Sequence, residues 1–378
     1  MNRPQGDSFV LVGGALPADA AEKHPIVSAA AARWQLSFAE AVQSEFNIPV
    51  VCLSFLPTGS SREAGENIAA GNVSIQTLPR RNSIGGSLSY CFGAFRAILA
   101  LRRSASCIFC YNALVWTAPW AYLLGLLANA PVILIVADLD PVAMNASRRS
   151  LKGLIERVLL RAGRRFIVFS PTALASLPRG SKSAVFSGIA DQHALALPPV
   201  RYDEVVRFVY AGRVSPEGGA DIFMDAATIV AREHPTAEFH LFGRPSPDFV
   251  AHESSERISI HGFVPEAELD AFMGESAVGV NPRPGLERLN DPNAPYKLLY
   301  YLSRGMLAIT TRTGGVPDEL ADLCIVADDS AAGITAAMRK VLAMTPEERS
   351  RMAEKARGEL RATRSPRVLA AIIRTLMQ

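Results

Sequence analysis

The chain has 378 residues, 49% of them hydrophobic and 20% charged, with a net charge of +3. That length suits two domains, each with its own core, and the composition excludes extended disorder. A charge this small gives no nucleic-acid signature, and five cysteines in such a chain exclude a disulfide framework.

The polar start MNRPQGDSFVLVGG lacks the basic opening, long apolar core and cleavage site of a signal peptide, so the chain reads as cytoplasmic. Ser8–Leu11 predicts a buried strand running into Gly13 and Gly14, a glycine turn at the strand's carboxyl end, where doubly wound folds place ligands. A helix is expected from Ile26 to Phe46, with Ser28, Arg33 and Gln35 placed to face a ligand. Strand Val50–Phe55, a polar loop through Thr58–Asn67, a strand near Val73–Thr77 and a helix from Gly85 to Arg102 follow. Cys107 to Val136 is the most apolar stretch, but Asn112, Pro119, Asn129 and Pro131 divide it into strand, helix and strand. A spanning helix needs about 20 uninterrupted apolar residues. Cys107 and Cys110 lie three apart in a strand, on opposite faces, and read as inert thiols rather than a metal pair; no metal site is expected.

The strand ending at Val136 leads into Asp138 and Asp140. A carboxylate at a strand tip could take a proton from an acceptor hydroxyl, whereas Asp140 before Pro141 could equally cap a turn and Asp138 could simply be solvated. Arg148–Arg165 is basic and amphipathic, with Leu151, Leu154, Ile155, Val158 and Leu159 at helical spacing. Two readings stand: a cationic face for anionic lipid headgroups, or the solvated face of a packed helix.

Leu195–Tyr202, with two prolines, reads as a linker. A second domain opens with strand Val206–Ala211 and the turn from Gly212 and Arg213 to Gly218 and Gly219. Strands Glu238–Phe242 and Ile258–His261 end in loops at Gly243 and at Phe263–Val264, and strand Ala277–Asn281 precedes a loop rich in turn formers and charge. The proline-led helix Pro295–Arg304 stops at Gly305, strand Met306–Thr310 follows, and Gly314–Gly315 turn into a helix opening near Pro317. Thr345-Pro-Glu-Glu is a capping box, and a last helix runs from Pro366 to Met377. Alternating apolar strands and amphipathic helices give two doubly wound α/β halves, assigned to residues 1–195 and 203–364, with residues 365–378 as a helix packing back on the first.

The run PYKLLYYLSRGMLAITTRTGGVPDE resembles the donor-binding segment of group 1 (family 4) glycosyltransferases. Gly212–Arg213 resembles their Gly-Arg-x-x-x-x-Lys-Gly loop, and Ala184–Asp191 their end-of-first-domain signature. The resemblance implies a GT-B fold, two Rossmann-like domains facing a cleft, with the acceptor on the first domain and a nucleotide-sugar donor on the second. It implies donor contacts at Gly212, Arg213, Gly243, Phe263, Val264, Lys297, Tyr300, Gly314, Gly315 and Glu319, and acceptor-side residues at Gly13, Gly14 and Asp140. Asp138, Arg213 and Lys297 become the candidate catalytic groups.

Four departures stand out: Gly218 occupies the lysine position, Tyr300 the glutamate position, Pro292 the place of a glutamate eight residues earlier, and Ala137 that of a histidine. Lys297 is the substitute for the missing lysine, in a Lys-Leu-Leu segment similar to that of some bacterial exopolysaccharide glucuronosyltransferases. Glu287 or Asp291 could replace the sugar-side glutamate, and Tyr300 or Tyr301 could bond the ribose. The implied activity is metal-independent, cofactor-free transfer of a sugar from a UDP- or GDP-sugar to a saccharide or lipid-linked acceptor at the inner membrane face. The competing expectation is a catalytically silent GT-B partner. An epimerase of the same shape would require carboxylates and a histidine around the sugar.

Overall fold

The computed structural model describes residues 8–17, 20, 29–58, 65–81, 84–137, 151–250, 256–285 and 296–378. The chain divides into two compact units, Met1–Ile189 with Pro366–Gln378, and Ala190–Ser365.

Unit 1 is built on eight strands: β1 (Ser8–Gly13), β2 (Val50–Thr58), β3 (Asn67–Ala70), β4 (Val73–Arg81), β5 (Ala105–Tyr111), β6 (Val132–Val136), β7 (Arg165–Val168) and β8 (Lys182–Val185). Their order is β3-β4-β2-β1-β5-β6-β7-β8, and every pair is parallel except β3 with β4. The central strands are continuous apolar runs such as VILIV, as expected for a parallel sheet buried on both faces. Strand β3 begins where the predicted polar loop ends: Asn67–Ala70 has alternating exposure and pairs with β4 as an edge hairpin, too brief to register as a strand from its sequence.

The chain steps outward from β1 to β2 and β4, then crosses back to β5 and onward to β8. Right-handed crossovers therefore place the helix Ala29–Phe46 on one face, and the helices Ile84–Leu101, Ala118–Ala128 and Leu151–Ala162 on the other. The C-terminal helix Pro366–Met377 lies with the first of these: Arg374 donates to the Glu45 carbonyl at 3.4 Å and its guanidinium sits 4.8 Å from the Phe46 ring centre. Arg165 donates to the Leu376 carbonyl at 2.6 Å. Cys107 and Cys110 are buried free thiols whose pKa burial pushes up to about 12.

Unit 2 has six parallel strands, β9 (Val206–Ala211), β10 (Ala237–Phe242), β11 (Ile258–Gly262), β12 (Ala277–Asn281), β13 (Leu307–Thr311) and β14 (Ile325–Ala327), in the order β11-β10-β9-β12-β13-β14. Val206, Phe208, Phe239, Val278, Ile309 and Met338 form the core of one face, and Val209, Leu298, Tyr301, Met306 and Leu360 that of the other. The linker stretch is tied to this unit, because Arg357 donates to the Leu195 and Leu197 carbonyls, each at 2.8 Å.

The helix Pro346–Thr363 opens on a complete capping box: Thr345 Oγ1 accepts from the Glu348 N–H at 3.2 Å, and Glu348 Oε2 accepts from the Thr345 N–H at 2.9 Å. Thr345→Ala removes one half of it, and urea denaturation is expected to show unit 2 about 1 kcal/mol less stable.

Candidate functional site

All six strands of unit 2 end at one edge of the sheet, and their order reverses between β9 and β12. At such a reversal neighbouring loops leave in opposite directions and open a crevice suited to a ligand. Here the loops after β9, β10 and β12 come into backbone contact. Gly219 has φ +77°, and a Cβ on it would stand 1.9 Å from the Pro282 carbonyl oxygen. Gly243 has φ +135°, and its Cβ would stand 1.7 Å from the Gly212 carbonyl oxygen. Only glycine fits either place. The Gly243 N–H donates to the Gly262 carbonyl at 2.7 Å, joining the β10 and β11 loops as well.

The helix Tyr296–Arg304 supplies the charged group. Lys297 and Tyr301, four residues apart, share a face of it. Tyr301 lies against β12 because residue 279 is glycine: a Cβ there would fall 2.3 Å from its ring. Its hydroxyl oxygen accepts the Ala211 N–H at 2.8 Å. Lys297 Nζ rests 3.9 Å from the centre of the Tyr210 ring, and its Cε lies 3.8 Å from where a Cβ on Gly212 would be. Lys297 is partly buried. Desolvation first, and the nearby Arg283 cation second, hold its pKa well below the usual lysine value.

The opposite face of the same helix is occupied differently. The Tyr296 hydroxyl donates to Asp191 Oδ2 at 3.0 Å, and Ser303 Oγ accepts the Asp191 N–H at 2.9 Å. Tyr300, 6% exposed, donates its hydroxyl to Asp270, whose other oxygen meets His193 Nε2 at 2.9 Å. The residue in the glutamate position therefore bonds a buried aspartate. Gly218, in the lysine position, is filled from another direction: a Cβ there would stand 2.2 Å from the Tyr210 hydroxyl, which donates to the Arg213 carbonyl at 2.7 Å. Among the described residues, His193, Glu266 and Asp270 are the group with ligand atoms close enough for a metal ion, within 4.8 Å of one another.

Of the residues singled out from sequence, Gly212, Arg213, Gly243 and Lys297 are brought together, with Arg213 exposed beside Gly212. Phe263 follows the β11 tip, 51% exposed, with the Arg244 guanidinium 5.3 Å from its ring centre, and Val264 is partly buried against the core. Gly314 and Gly315 form a turn closed by the Val316 N–H on the Thr313 carbonyl at 3.0 Å. Glu319 is exposed in the first turn of the short helix Asp318–Ala321. In unit 1, Gly14 donates its N–H to Gln35 Oε1 at 2.7 Å, and a Cβ on Gly13 would fall 2.0 Å from the same oxygen, so Gln35 is a buried brace for this turn. Asp138, Asp140, Glu287 and Asp291 lie outside the described residues.

The sequence reading did not single out Arg283, Asn281 or Thr313. Asn281 Oδ1 and Thr313 Oγ1 are buried at or just beyond the tips of β12 and β13 without a hydrogen-bond partner. A buried orphan costs about 1–3 kcal/mol, so such atoms mark places for water or ligand. The available signal was a lone Asn closing the apolar strand AVGVN. His261 is exposed yet partnered: it stacks on Phe242 with ring centres 4.3 Å apart and meets His240 at 3.0 Å, and desolvation lowers the pKa of both histidines.

Residues 206–344, 139 of the 378, match the model of the family described as Glycosyl transferases group 1. No curated protein sequence matches the chain. Among solved structures, trehalose-6-phosphate from E. coli bound with UDP-2-fluoro glucose is similar at TM-score 0.68 and 10% identity, over 98% of this chain and 99% of that one. The UDP-forming α,α-trehalose-phosphate synthase from Burkholderia xenovorans, in complex with glucose-6-phosphate, is similar at 0.67 and 11%, over 98% and 100%. Anabaena HepE in complex with UDP and glucose follows at 0.63 and 12%, over 98% and 99%. The fold is GT-B.

Replacing Tyr300 by glutamate would set two carboxylates against each other in a buried place. Tyr300→Glu is expected to lower the stability of unit 2 by about 2–4 kcal/mol, and adding Asp270→Asn should recover at least half of that in the same urea titration.

Proposed function

We propose that this chain is a glycosyltransferase that binds a UDP- or GDP-sugar on unit 2 and passes the sugar to a saccharide or lipid-linked acceptor held by unit 1. The observation that carries the reading is the Lys297 ammonium, desolvated beside the Gly212 backbone where the strand order reverses. A diphosphate leaving group gains negative charge as the glycosidic bond breaks, and fixed cations stabilise that charge. Lys297 and Arg213 take this role, with the Gly314 and Gly315 amides completing the diphosphate grip and no metal required by the scheme. Phe263 and Val264 flank the base, and the Arg244–Phe263 pair offers it a stacking surface. With the Tyr300 hydroxyl on Asp270, the ribose is left to Glu319. On the acceptor side, Gly13 and Gly14 border the sugar, Asp140 assists, and Asp138 is the base if the anomeric centre inverts.

The match of residues 206–344 supports this reading, as do neighbours solved with UDP or a UDP-sugar analogue. A place in exopolysaccharide or related glycoconjugate synthesis, at the cytoplasmic face of a membrane, belongs to the same proposal and is supported by the basic amphipathic segment ending at Arg165. Gly218 and Tyr300 favour a second reading, a partner protein that binds a nucleotide sugar without transferring it.

Calorimetry with UDP and GDP is expected to show micromolar binding of one of them, weakened at least tenfold by Lys297→Ala, about 1.4 kcal/mol. Absence of binding by either would overturn the donor site; binding without sugar transfer or nucleotide release would select the partner reading. The pH dependence follows from the lysine. Its pKa is low in the free protein, and a bound diphosphate favours the ammonium and raises it. Above the free-protein pKa, binding therefore takes up a proton, and affinity falls as pH rises. Titrations in two buffers of different ionisation enthalpy should reveal the uptake, and Lys297→Ala should abolish it.

A further inference from the structure

The three helices on one face of the unit 1 sheet are packed side by side. The Trp120 indole N–H donates to the Tyr90 hydroxyl at 3.1 Å, and the Tyr122 hydroxyl donates to the Leu159 carbonyl at 2.7 Å. Their inner residues, among them Ala94, Ile98, Leu124 and Leu160, fill the core. Their outer surface is also apolar. In Leu151–Ala162 the one buried residue is Leu160, whereas Leu151 (74% exposed), Leu154, Ile155 and Val158 form an i, i+3, i+4, i+7 stripe toward solvent. The sequence offered a packed helix with a solvated charged face as one reading; here the apolar stripe is the solvated one. Leu88, Phe92 and Phe95 continue it on Ile84–Leu101, and Leu126 and Leu127 on Ala118–Ala128. With Leu114 and Trp116, this layer holds eleven of the seventeen exposed large apolar side chains among the described residues, so the exposure is clustered rather than scattered.

The charge of the same layer is one-sided. The helices Ile84–Leu101, Ala118–Ala128 and Leu151–Ala162 carry four Lys or Arg (Arg96, Lys152, Arg157 and Arg161) and a single acid, Glu156, a balance of +3. Lys152 and Arg161 are exposed on the striped helix, and the Arg80 guanidinium lies 3.9 Å from the Trp116 ring centre. A second copy of this chain would bring like charge against like charge across a two-fold axis, which disfavours self-association. Exposed leucine and phenylalanine beside basic residues suit an interface that is apolar within and anionic at its rim.

We infer that unit 1 docks on an anionic lipid bilayer through the outer face of Ile84–Leu101, Ala118–Ala128 and Leu151–Ala162, the apolar stripe entering the acyl boundary and the basic residues meeting headgroup phosphates. Among the described residues no helix is long and apolar enough to cross a membrane, so the mode is peripheral. This builds on the membrane contact in the proposed function, and its test is independent of the donor site.

The experiment is flotation of the full chain with vesicles of phosphatidylcholine alone or with 30% phosphatidylglycerol. The expected result is association with the anionic vesicles, reduced several-fold in 0.5 M salt, and at least tenfold loss for Leu151→Ser/Leu154→Ser/Val158→Ser. These positions are exposed, so the variant keeps its fold, and unchanged nucleotide calorimetry verifies that. Flotation with neither vesicle, equal flotation of the variant, or a dimer in sedimentation velocity that the same substitutions dissolve would each overturn the inference, the last in favour of a second copy. Loss of nucleotide binding with intact flotation would instead count against the donor site alone.

Discussion

Much of what unit 2 presents to a ligand depends on two places where backbone touches backbone. The loops after β9, β10 and β12 approach so closely that residues 219 and 243 have no room for a Cβ, and both sit at positive φ, where glycine alone is unstrained. This contact sets where the Gly212 peptide lies, and the Gly212 peptide is what Lys297 packs beside. A methyl group at either glycine would separate the loops before any charged side chain was altered. The electrostatics of the site thus rest on a steric condition.

The helix Tyr296–Arg304 works as a two-sided part. One face carries Lys297 and Tyr301 to the tip of β9, and the other carries Tyr296, Tyr300 and Ser303 to Asp191 and Asp270. Two of the four departures noted in the sequence, Gly218 and Tyr300, meet in this one local structure. Tyr210 fills the space beside Gly218 with its hydroxyl and offers its ring to the Lys297 ammonium. Tyr300 turns its hydroxyl to a buried carboxylate. The buried cation at this edge of the sheet comes from a helix rather than from the β9 loop, and Tyr300 is part of the packing.

Unit 1 spends its apolar residues differently. Its sheet is covered on both faces, yet the helices of one face carry a second apolar surface turned outward, flanked by arginines and almost free of acids. In a water-facing helix a stripe at i, i+3, i+4 and i+7 marks the side that packs; here the packed side is formed by Leu160 and by residues of the neighbouring helices such as Ala94, Ile98 and Leu124.

The division into two doubly wound halves was legible in the sequence because parallel strands buried on both faces read as apolar runs, as in VILIV and MLAI, and because glycine and proline punctuate the helices between them. The capping box at Thr345 and the close of the helix at Gly305, φ +78°, were legible for the same local reason. Edge strand β3 was not, since its four residues are too few to show a pattern and gain their conformation from pairing with β4. Asp138 and Asp140 were named from their place after a strand and lie outside the described residues. What the residue pattern by itself determined is the order of elements and the loops that gather at the carboxyl ends of the strands, because both follow from local periodicity and chain reversal. Only the tertiary structure decided that Tyr300 faces Asp270, that Tyr210 fills the space beside Gly218, and that the stripe from Leu151 to Val158 faces solvent. Each depends on which neighbour, distant in sequence, arrives at that side chain.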